Sequence, residues 1–221
     1  MQVQVFNPAQ VIAGRRTCMA ELALGVFVPG FSMTFSRNEE IFGEEEAAEF
    51  VYKVLSGVVR TTRLLDDGRR QIVAFHMPGD VFGLEVGPTH RFSAEAVGCC
   101  ELALVRRTVL DKTTQNDPAA WRAVWTLTAL DLERMQDHMV LLGRKTAAEK
   151  VEAFLADMSA RAPASDGVEL PMSRTDIADY LGLTIETVSR ILSQMEREHR
   201  IARATSRHVV LCDRRLLQAA A

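Results

Sequence analysis

The segment Asp176–Ile191 constrains the fold of this chain more than any other, because it predicts two short helices around a tight turn. Ser173 can cap the first helix, and Asp176 three residues later completes a variant capping box. Gly182 follows the first helix and can adopt the positive φ that often ends a helix. Thr184 is suited to cap the second helix. The pattern is that of a helix-turn-helix, which presents its second helix to the DNA major groove.

The second of these helices has an apolar face and a polar face. Four residues at helical spacing form the apolar face: Val188, Ile191, Leu192 and Met195. Glu186, Ser189 and Arg190 lie on nearly the opposite side, and these residue types can hydrogen-bond to base edges in the major groove. Because a carboxylate would repel phosphates, Glu186 on this face favours base reading over generic attraction to DNA. An ordinary amphipathic helix pair with a solvated polar face is the alternative.

A small hairpin is predicted after the second helix. Two strand-like segments, Ile201–Ala204 and Arg207–Leu211, flank a turn at Thr205-Ser206, which makes the motif a winged helix. From the cap of the second helix onward there are seven arginines and four acidic residues, a local charge of +3 in a chain of net charge −3. Arg203 and Arg207 flank the turn and could contact phosphates, which position a protein without reading sequence. A solvated wing is the equally open alternative.

The first half of the chain has the character of an all-β domain. Five strand-like segments are separated by turn residues: Tyr52–Leu55, Val58–Thr62, Gln71–His76, Phe92–Val97 and Glu101–Val105. Asp67-Gly68, between two of them, is a strong hairpin signal. Short strands at this spacing predict a small barrel or sandwich over roughly residues 20 to 110.

A long helix is predicted to open at Asp117-Pro118 and to end at Gly143. Along it, residues recur at alternating spacings of four and three: Trp121, Trp125, Thr128, Leu132, Met135, Met139 and Leu142. This heptad seam favours a partner helix, so we predict a homodimer interface formed by Trp125, Thr128, Leu132, Met135, Met139 and Leu142. A helix packed on the chain's own core is the alternative. A further helix over roughly Thr146–Ala160 and a turn-rich connection should follow.

Composition narrows the class of protein. The chain has 221 residues, of which 48% are hydrophobic, which is enough for one or two domains with true cores. It has no run of about 18 apolar residues and no pattern of a secretory signal at its start, so we expect a soluble, cytoplasmic protein that makes no membrane contact. The four cysteines have no ligand-like spacing, and a four-cysteine iron–sulfur cluster is therefore not expected.

The order of β-domain, long helix and winged helix-turn-helix resembles the Crp/Fnr superfamily of bacterial transcription regulators over nearly the whole chain. Three segments carry the resemblance: Tyr52–Arg60, Pro78–Gly83 and Ile177–Leu192. The sequence from Glu186 to Arg190 is similar to the E-x-x-S-R reading sequence of the Fnr type. The cyclic-AMP receptor branch has Arg in place of Ile185 and Gly in place of Ser189, and the FixK branch of rhizobia resembles this chain best.

The resemblance implies an α+β fold in three parts. These are a β-roll like that of cyclic-nucleotide-binding domains over residues 1–115, a dimerisation helix over 116–143 and a winged helix-turn-helix over 144–221. It also implies a homodimer on double-stranded DNA that binds an inverted pair of half-sites like TTGAT. RNA polymerase is the implied partner, usually for activation, often of genes for low-oxygen respiration or nitrogen fixation. The expected DNA-binding residues are Ser173, Thr175, Thr184, Ile185, Glu186, Ser189, Arg190 and Arg207.

Two departures from the family bear on regulation. Fnr proteins have an N-terminal group of cysteines, whereas only Cys18 lies near that end here, and His90 stands where nucleotide-binding members have the Arg that holds the cyclic phosphate. Glu85 and Arg91 could still meet a ligand, although a surface ion pair is favoured. We therefore assign no cofactor and no metal. An effector-gated regulator, whose β-roll binds a small ligand such as a cyclic nucleotide, is the alternative.

An enzyme of the cupin barrel type is disfavoured. Such a metal site needs a His-x-His pair with a nearby Glu, whereas His76 and His90 lie fourteen residues apart without such a pair. We expect that the protein is not an enzyme.

Overall fold

The computed structural model describes residues 16–161, 167–203, 205 and 207–212. Its strands are β1 (Arg16–Glu21), β2 (Phe27–Phe35), β3 (Glu40–Phe42), β4 (Phe50–Ser56), β5 (Val59–Leu64), β6 (Arg70–His76), β7 (Val81–Phe82), β8 (Ser93–Ala96), β9 (Cys100–Arg106), β10 (Val168–Glu169), β11 (Ile201–Arg203) and β12 (His208–Leu211). Its helices are α1 (Arg107–Asn116), α2 (Pro118–Arg144), α3 (Ala147–Arg161), α4 (Arg174–Leu181) and α5 (Ile185–Arg197).

These elements fall into two compact units. Of the described residues, the first contains Arg16 to Arg69 together with Val73–Glu133. The second contains Arg70–Ile72 and the described residues from Arg134 onward. The boundaries of the three parts expected from the sequence stay a prediction.

The first unit contains the β-roll that the sequence predicts, apart from Arg70–Ile72 at the start of β6, which belong to the second unit. One sheet has the strand order β1-β2-β9-β4-β7 and the other the order β3-β8-β5-β6. Alternation along β9 places Leu102 and Leu104 in the core of the roll, with Phe35, while Ala103 and Val105 pack on the opposite face of the sheet. That opposite face is covered by apolar residues of α1 and the start of α2, among them Leu110, Ala120 and Ala123. Helix α1 is an element that the sequence reading did not separate from the β-domain.

Helix α2 begins as expected. Asp117 accepts a hydrogen bond from the Ala119 N–H at 2.8 Å, and Pro118 occupies the first turn, where a missing N–H costs nothing. The helix ends at Arg144, so Gly143 lies inside the last turn of α2 and does not end it. Among the described helices, none is long and apolar enough to cross a lipid bilayer.

The second unit contains the helix-turn-helix and a three-stranded sheet. Helix α3 starts after Thr146, whose N–H donates to the Glu149 carboxylate at 2.8 Å. The sheet has the order β10-β12-β11, with both pairs antiparallel, and the β11–β12 hairpin confirms the predicted wing. Ala204 at the end of the predicted first strand and Ser206 in the predicted turn lie outside the described residues.

Candidate DNA-binding site

The first helix of the motif is defined by its two ends. The Ser173 hydroxyl accepts from the Asp176 N–H at 3.0 Å, and the Asp176 carboxylate accepts from the Ser173 N–H at 3.0 Å, which confirms the capping box. At the other end, Gly182 has φ 61° and ψ 42°, and its N–H donates to the Ala178 carbonyl. Only glycine adopts this left-handed conformation at little cost, so the turn that aims the next helix depends on this residue.

Helix α5 presents the predicted polar residues on its free side. Its N-cap is Thr184, whose hydroxyl accepts from the Thr187 N–H at 3.2 Å. The apolar face is buried as predicted, and it consists of Val188, Ile191, Leu192 and Met195. The residues expected to read bases are exposed together at the start of the helix: Ile185, Glu186, Ser189 and Arg190. Because buried and exposed positions alternate at helical spacing, the whole reading surface lies on one side of α5.

Helix α4 is held by residues that we did not predict from the sequence. Arg70 donates to the carboxylates of Asp176 and Asp179, and the side chain of Gln71 donates to the Tyr180 carbonyl at 3.3 Å. Lys150 of α3 donates to the carbonyl of Leu181 at 3.2 Å. These contacts join residues far apart in sequence, so no local pattern could have shown them.

An aromatic contact also supports α4. The His138 ring of α2 stacks on the Tyr180 ring, with 4.1 Å between ring centroids and 22° between ring planes. Burial lowers the pKa of His138 below its ordinary value of 6.5, and Asp157 acts in the opposite direction. The neutral imidazole is therefore the form that packs against the helix-turn-helix.

The wing is ordered by short-range hydrogen bonds. The Thr205 hydroxyl accepts from the N–H groups of Arg207 at 3.2 Å and His208 at 2.9 Å. His208 Nδ1 lies 2.8 Å from a carboxylate oxygen of Glu169, so β10 and β12 are also joined by their side chains. Arg207 is exposed, as a phosphate-contacting residue must be. Three further predicted DNA-binding residues are also exposed: Ser173, Thr175 and Thr184.

The predicted dimer seam of α2 is largely uncovered within the chain. Trp125 is 63% exposed, Leu132 55% and Met139 68%, and Thr128 and Met135 are exposed as well. Leu142 differs, because it is half-buried and lies beside Gly182 in the second unit. Trp121 and Trp125 stack on each other with 5.9 Å between ring centroids. Trp125, Leu132, Met135 and Met139 thus form an exposed apolar stripe, a feature that marks interaction surfaces in soluble proteins.

The β-roll places His90 in its own aromatic core. The imidazole stacks on Phe42, with 3.6 Å between ring centroids, and its Nδ1 lies 3.7 Å from a Glu85 carboxylate oxygen. Burial lowers the pKa of His90, and Glu85 acts in the opposite direction. The expected ion pair between Glu85 and Arg91 is not the contact observed: Glu85 accepts from the Arg91 backbone N–H, and the guanidinium lies over the Phe92 ring. Among the described residues, no cluster of three potential metal ligands forms.

The helix-turn-helix region and the β-roll each match a known family of protein domains. Residues 149–220 match the Crp-like helix-turn-helix domain, and residues 32–117 match the cyclic nucleotide-binding domain. The chain is 49% identical over 217 residues to the nitrogen fixation regulation protein FixK of Azorhizobium caulinodans, an alignment that covers 96% of this chain and 82% of that protein. The chain belongs to the Crp/Fnr superfamily. It is therefore a DNA-binding transcription regulator and not an enzyme, as the sequence led us to expect.

Further relatives and a solved structure agree with this assignment. The regulator is 46% identical to FixK of Bradyrhizobium diazoefficiens, over 78% of its own chain and 75% of that protein. It is 33% identical to the transcriptional activator FnrL of Cereibacter sphaeroides, over 85% and 79% of the two chains. The structure of FixK2 from Bradyrhizobium japonicum superposes with a TM-score of 0.83 at 49% identity, covering 87% of this chain and 98% of that one. The predicted fold and the FixK resemblance are confirmed.

Proposed function

We propose that the regulator acts as a homodimer that binds an inverted repeat of TTGAT half-sites and activates transcription. The observation that carries this proposal is the exposed face at the start of α5, where Glu186, Ser189 and Arg190 lie together on the side opposite the buried apolar face. In such an arrangement, two copies of α5 enter successive major grooves about 34–36 Å apart.

The chemistry of the exposed face fits this half-site. Arg190 can donate two hydrogen bonds to O6 and N7 of a guanine, and Glu186 can accept from the N4 amino group of its paired cytosine. Ile185 is apolar and exposed, which suits contact with a thymine methyl group. Ser189 can donate or accept, and it leaves room beside Arg190. These contacts would read the G·C pair and one thymine of a TTGAT half-site, and the rest of the half-site is what the family resemblance implies.

A second group of residues is suited to the DNA backbone. Ser173, Thr175 and Thr184 are exposed polar residues near the starts of α4 and α5, and Arg207 is exposed on the wing. Such groups fix the register of a protein on the duplex and contribute no base discrimination. Losing one of them is expected to weaken binding to all sequences similarly.

Dimerisation supplies the two-fold symmetry that an inverted repeat requires. The exposed seam from Trp125 to Met139 has the alternating spacing of a two-stranded coiled coil. Two such helices would cover each other's apolar side chains, and the free energy of that burial would hold the pair together.

The names of the relatives support the biological context. Activation of target genes and control of nitrogen fixation are supported by likeness to a transcriptional activator and to a nitrogen fixation regulation protein. RNA polymerase as partner and control of low-oxygen respiration are what the family resemblance implies. Action without a cyclic nucleotide is favoured by His90, because a buried neutral imidazole under Phe42 cannot replace an Arg that pairs with a phosphate.

The experiment is a selection of duplexes from a random pool by the purified protein with no added ligand. Enrichment of an inverted TTGAT repeat is the expected result. Enrichment of a different sequence, or of none, would refute the proposed target. A parallel selection with cyclic AMP tests the effector-gated alternative, which requires enrichment only when the nucleotide is present.

A further inference from the structure

We propose that Arg70 is a positioning residue for the DNA-reading helices, although it lies more than one hundred residues before them. Arg70 begins β6 and belongs to the same compact unit as α4 and α5. Its Nη2 donates to Asp176 Oδ1 at 2.6 Å, and its Nε donates to Asp179 Oδ2 at 2.9 Å. One guanidinium therefore joins two carboxylates that lie one helical turn apart on α4.

Asp176 is a buried carboxylate that both caps α4 and accepts a hydrogen bond from Arg70. Asp176 is only 4% exposed, and its Oδ2 accepts both the N–H and the hydroxyl of Ser173 in the capping box. Its other oxygen, Oδ1, accepts from Arg70. A buried carboxylate that loses a charged partner is strongly destabilised. Without Arg70, this carboxylate would lose a charged hydrogen-bond donor, which would weaken the cap that fixes the start of α4.

The position of α4 determines where the reading residues lie. The two helices are joined by the tight turn at Gly182, and the buried face of α5, with Val188 and Leu192, faces the motif's interior. Gln71, next to Arg70, also donates to the Tyr180 carbonyl near the end of α4. Arg70 and Gln71 thus hold both ends of the helix that supports α5. Binding to DNA is strongest when the reading helix is already held in its bound orientation, because less ordering is then needed.

The test measures DNA affinity in Arg70→Met, and it rests on DNA binding through α5. The duplex is whichever sequence the parent protein selects, and the dissociation constant is measured at several KCl concentrations. We expect binding to weaken by about tenfold, with the salt dependence unchanged. A residue that contacts phosphate would instead reduce the salt slope by about one. The matched control is Arg69→Met, because Arg69 is exposed and pairs with Asp67 two residues away; its affinity should not change.

Two further variants separate positioning from a general loss of stability. Asp179→Asn removes one partner at a half-exposed site and should weaken binding severalfold in a fully folded protein, and adding it to Arg70→Met should weaken binding little further. Arg70→Lys should restore part of the affinity, since an ammonium group keeps the charge but cannot bond both carboxylates. All binding is measured below the onset of each variant's own unfolding curve.

These measurements distinguish a failure of the positioning role from a failure of the proposed function. Arg70→Met with the parent's affinity, a reduced salt slope, or full additivity with Asp179→Asn each overturns the positioning role while leaving the proposed function intact. A parent protein that selects no sequence overturns the proposed function first, and this inference with it.

Discussion

Replacing Gly182 by Ala should destabilise the helix-turn-helix although there is space for the new methyl group. A Cβ built at this position meets only Leu142 Cδ2, at 3.8 Å, which is an ordinary contact. The cost is therefore conformational: the left-handed region at φ 61° costs an L-residue about 1–2 kcal/mol. Against this, alanine restricts the unfolded chain and recovers about 0.4–1 kcal/mol. The net expectation is a loss of about 1 kcal/mol per chain.

Gly143→Ala is a matched control, for which the opposite effect on stability is expected. It lies in the last turn of α2, and a Cβ there has nothing within 4 Å. Alanine is favoured over glycine in a helix by up to about 1 kcal/mol, so Gly143→Ala should stabilise its helix slightly or leave it unchanged.

The assay is native-state hydrogen exchange of amides in α4 and α5. A loss of about 1 kcal/mol corresponds to roughly fivefold faster exchange of the most protected amides in Gly182→Ala. Unchanged exchange in Gly182→Ala, or equal acceleration in both variants, would refute the conclusion that positive φ at the turn sets the cost.

Two further predictions concern the seam and the support of α4. Leu132→Asp should convert the dimer into monomers of the 24.6 kDa chain in sedimentation analysis, because it introduces two charges into an apolar seam, whereas Leu130→Asp, off the seam on an equally exposed position, should stay dimeric. A Leu132→Asp variant that stays dimeric would contradict the proposal that this seam forms the dimer interface. Since burial lowers the pKa of His138 below 6.5, the open state binds more protons, so protection of α4 should fall as the pH drops from about 7.5 to about 5.5. His138→Phe should keep the ring stack with Tyr180 and lose this pH dependence. If the protection of α4 in His138→Phe still falls with pH as in the parent, groups other than His138 cause the effect.

Local patterns in the sequence were sufficient to predict the helix-turn-helix. Ser173, Asp176 and Thr184 act as caps, Gly182 has the positive φ, and the buried face of α5 follows helical spacing. Each of these features depends on residues within four positions of one another, which is the range over which side chains contact along a helix. The strands of the β-roll were found for a similar reason, since alternation and turn residues are local.

The contacts that support the motif could not be read from the sequence. Arg70 and Asp176 are separated by 106 positions, and His138 and Tyr180 belong to different helices. Whether two such side chains meet depends on how the elements pack, and nothing in either local sequence encodes it. The packing of His90 on Phe42 has the same origin, because its alignment with the Arg of nucleotide-binding members does not indicate which ring packs against it. The roles of the individual DNA-binding residues stay predictions.

Base reading by Arg190 is tested most directly by comparing duplexes that differ at one base pair. The dissociation constants of the parent and of Arg190→Ala are measured on the TTGAT inverted repeat and on a repeat in which the G·C pair of each half-site is replaced by A·T. The parent should lose about 1–3 kcal/mol of binding free energy per half-site on the altered duplex, and Arg190→Ala should keep only the smaller part of this preference that Glu186 supplies. If Arg190→Ala still prefers the G·C repeat as strongly as the parent does, α5 does not read this base pair through Arg190.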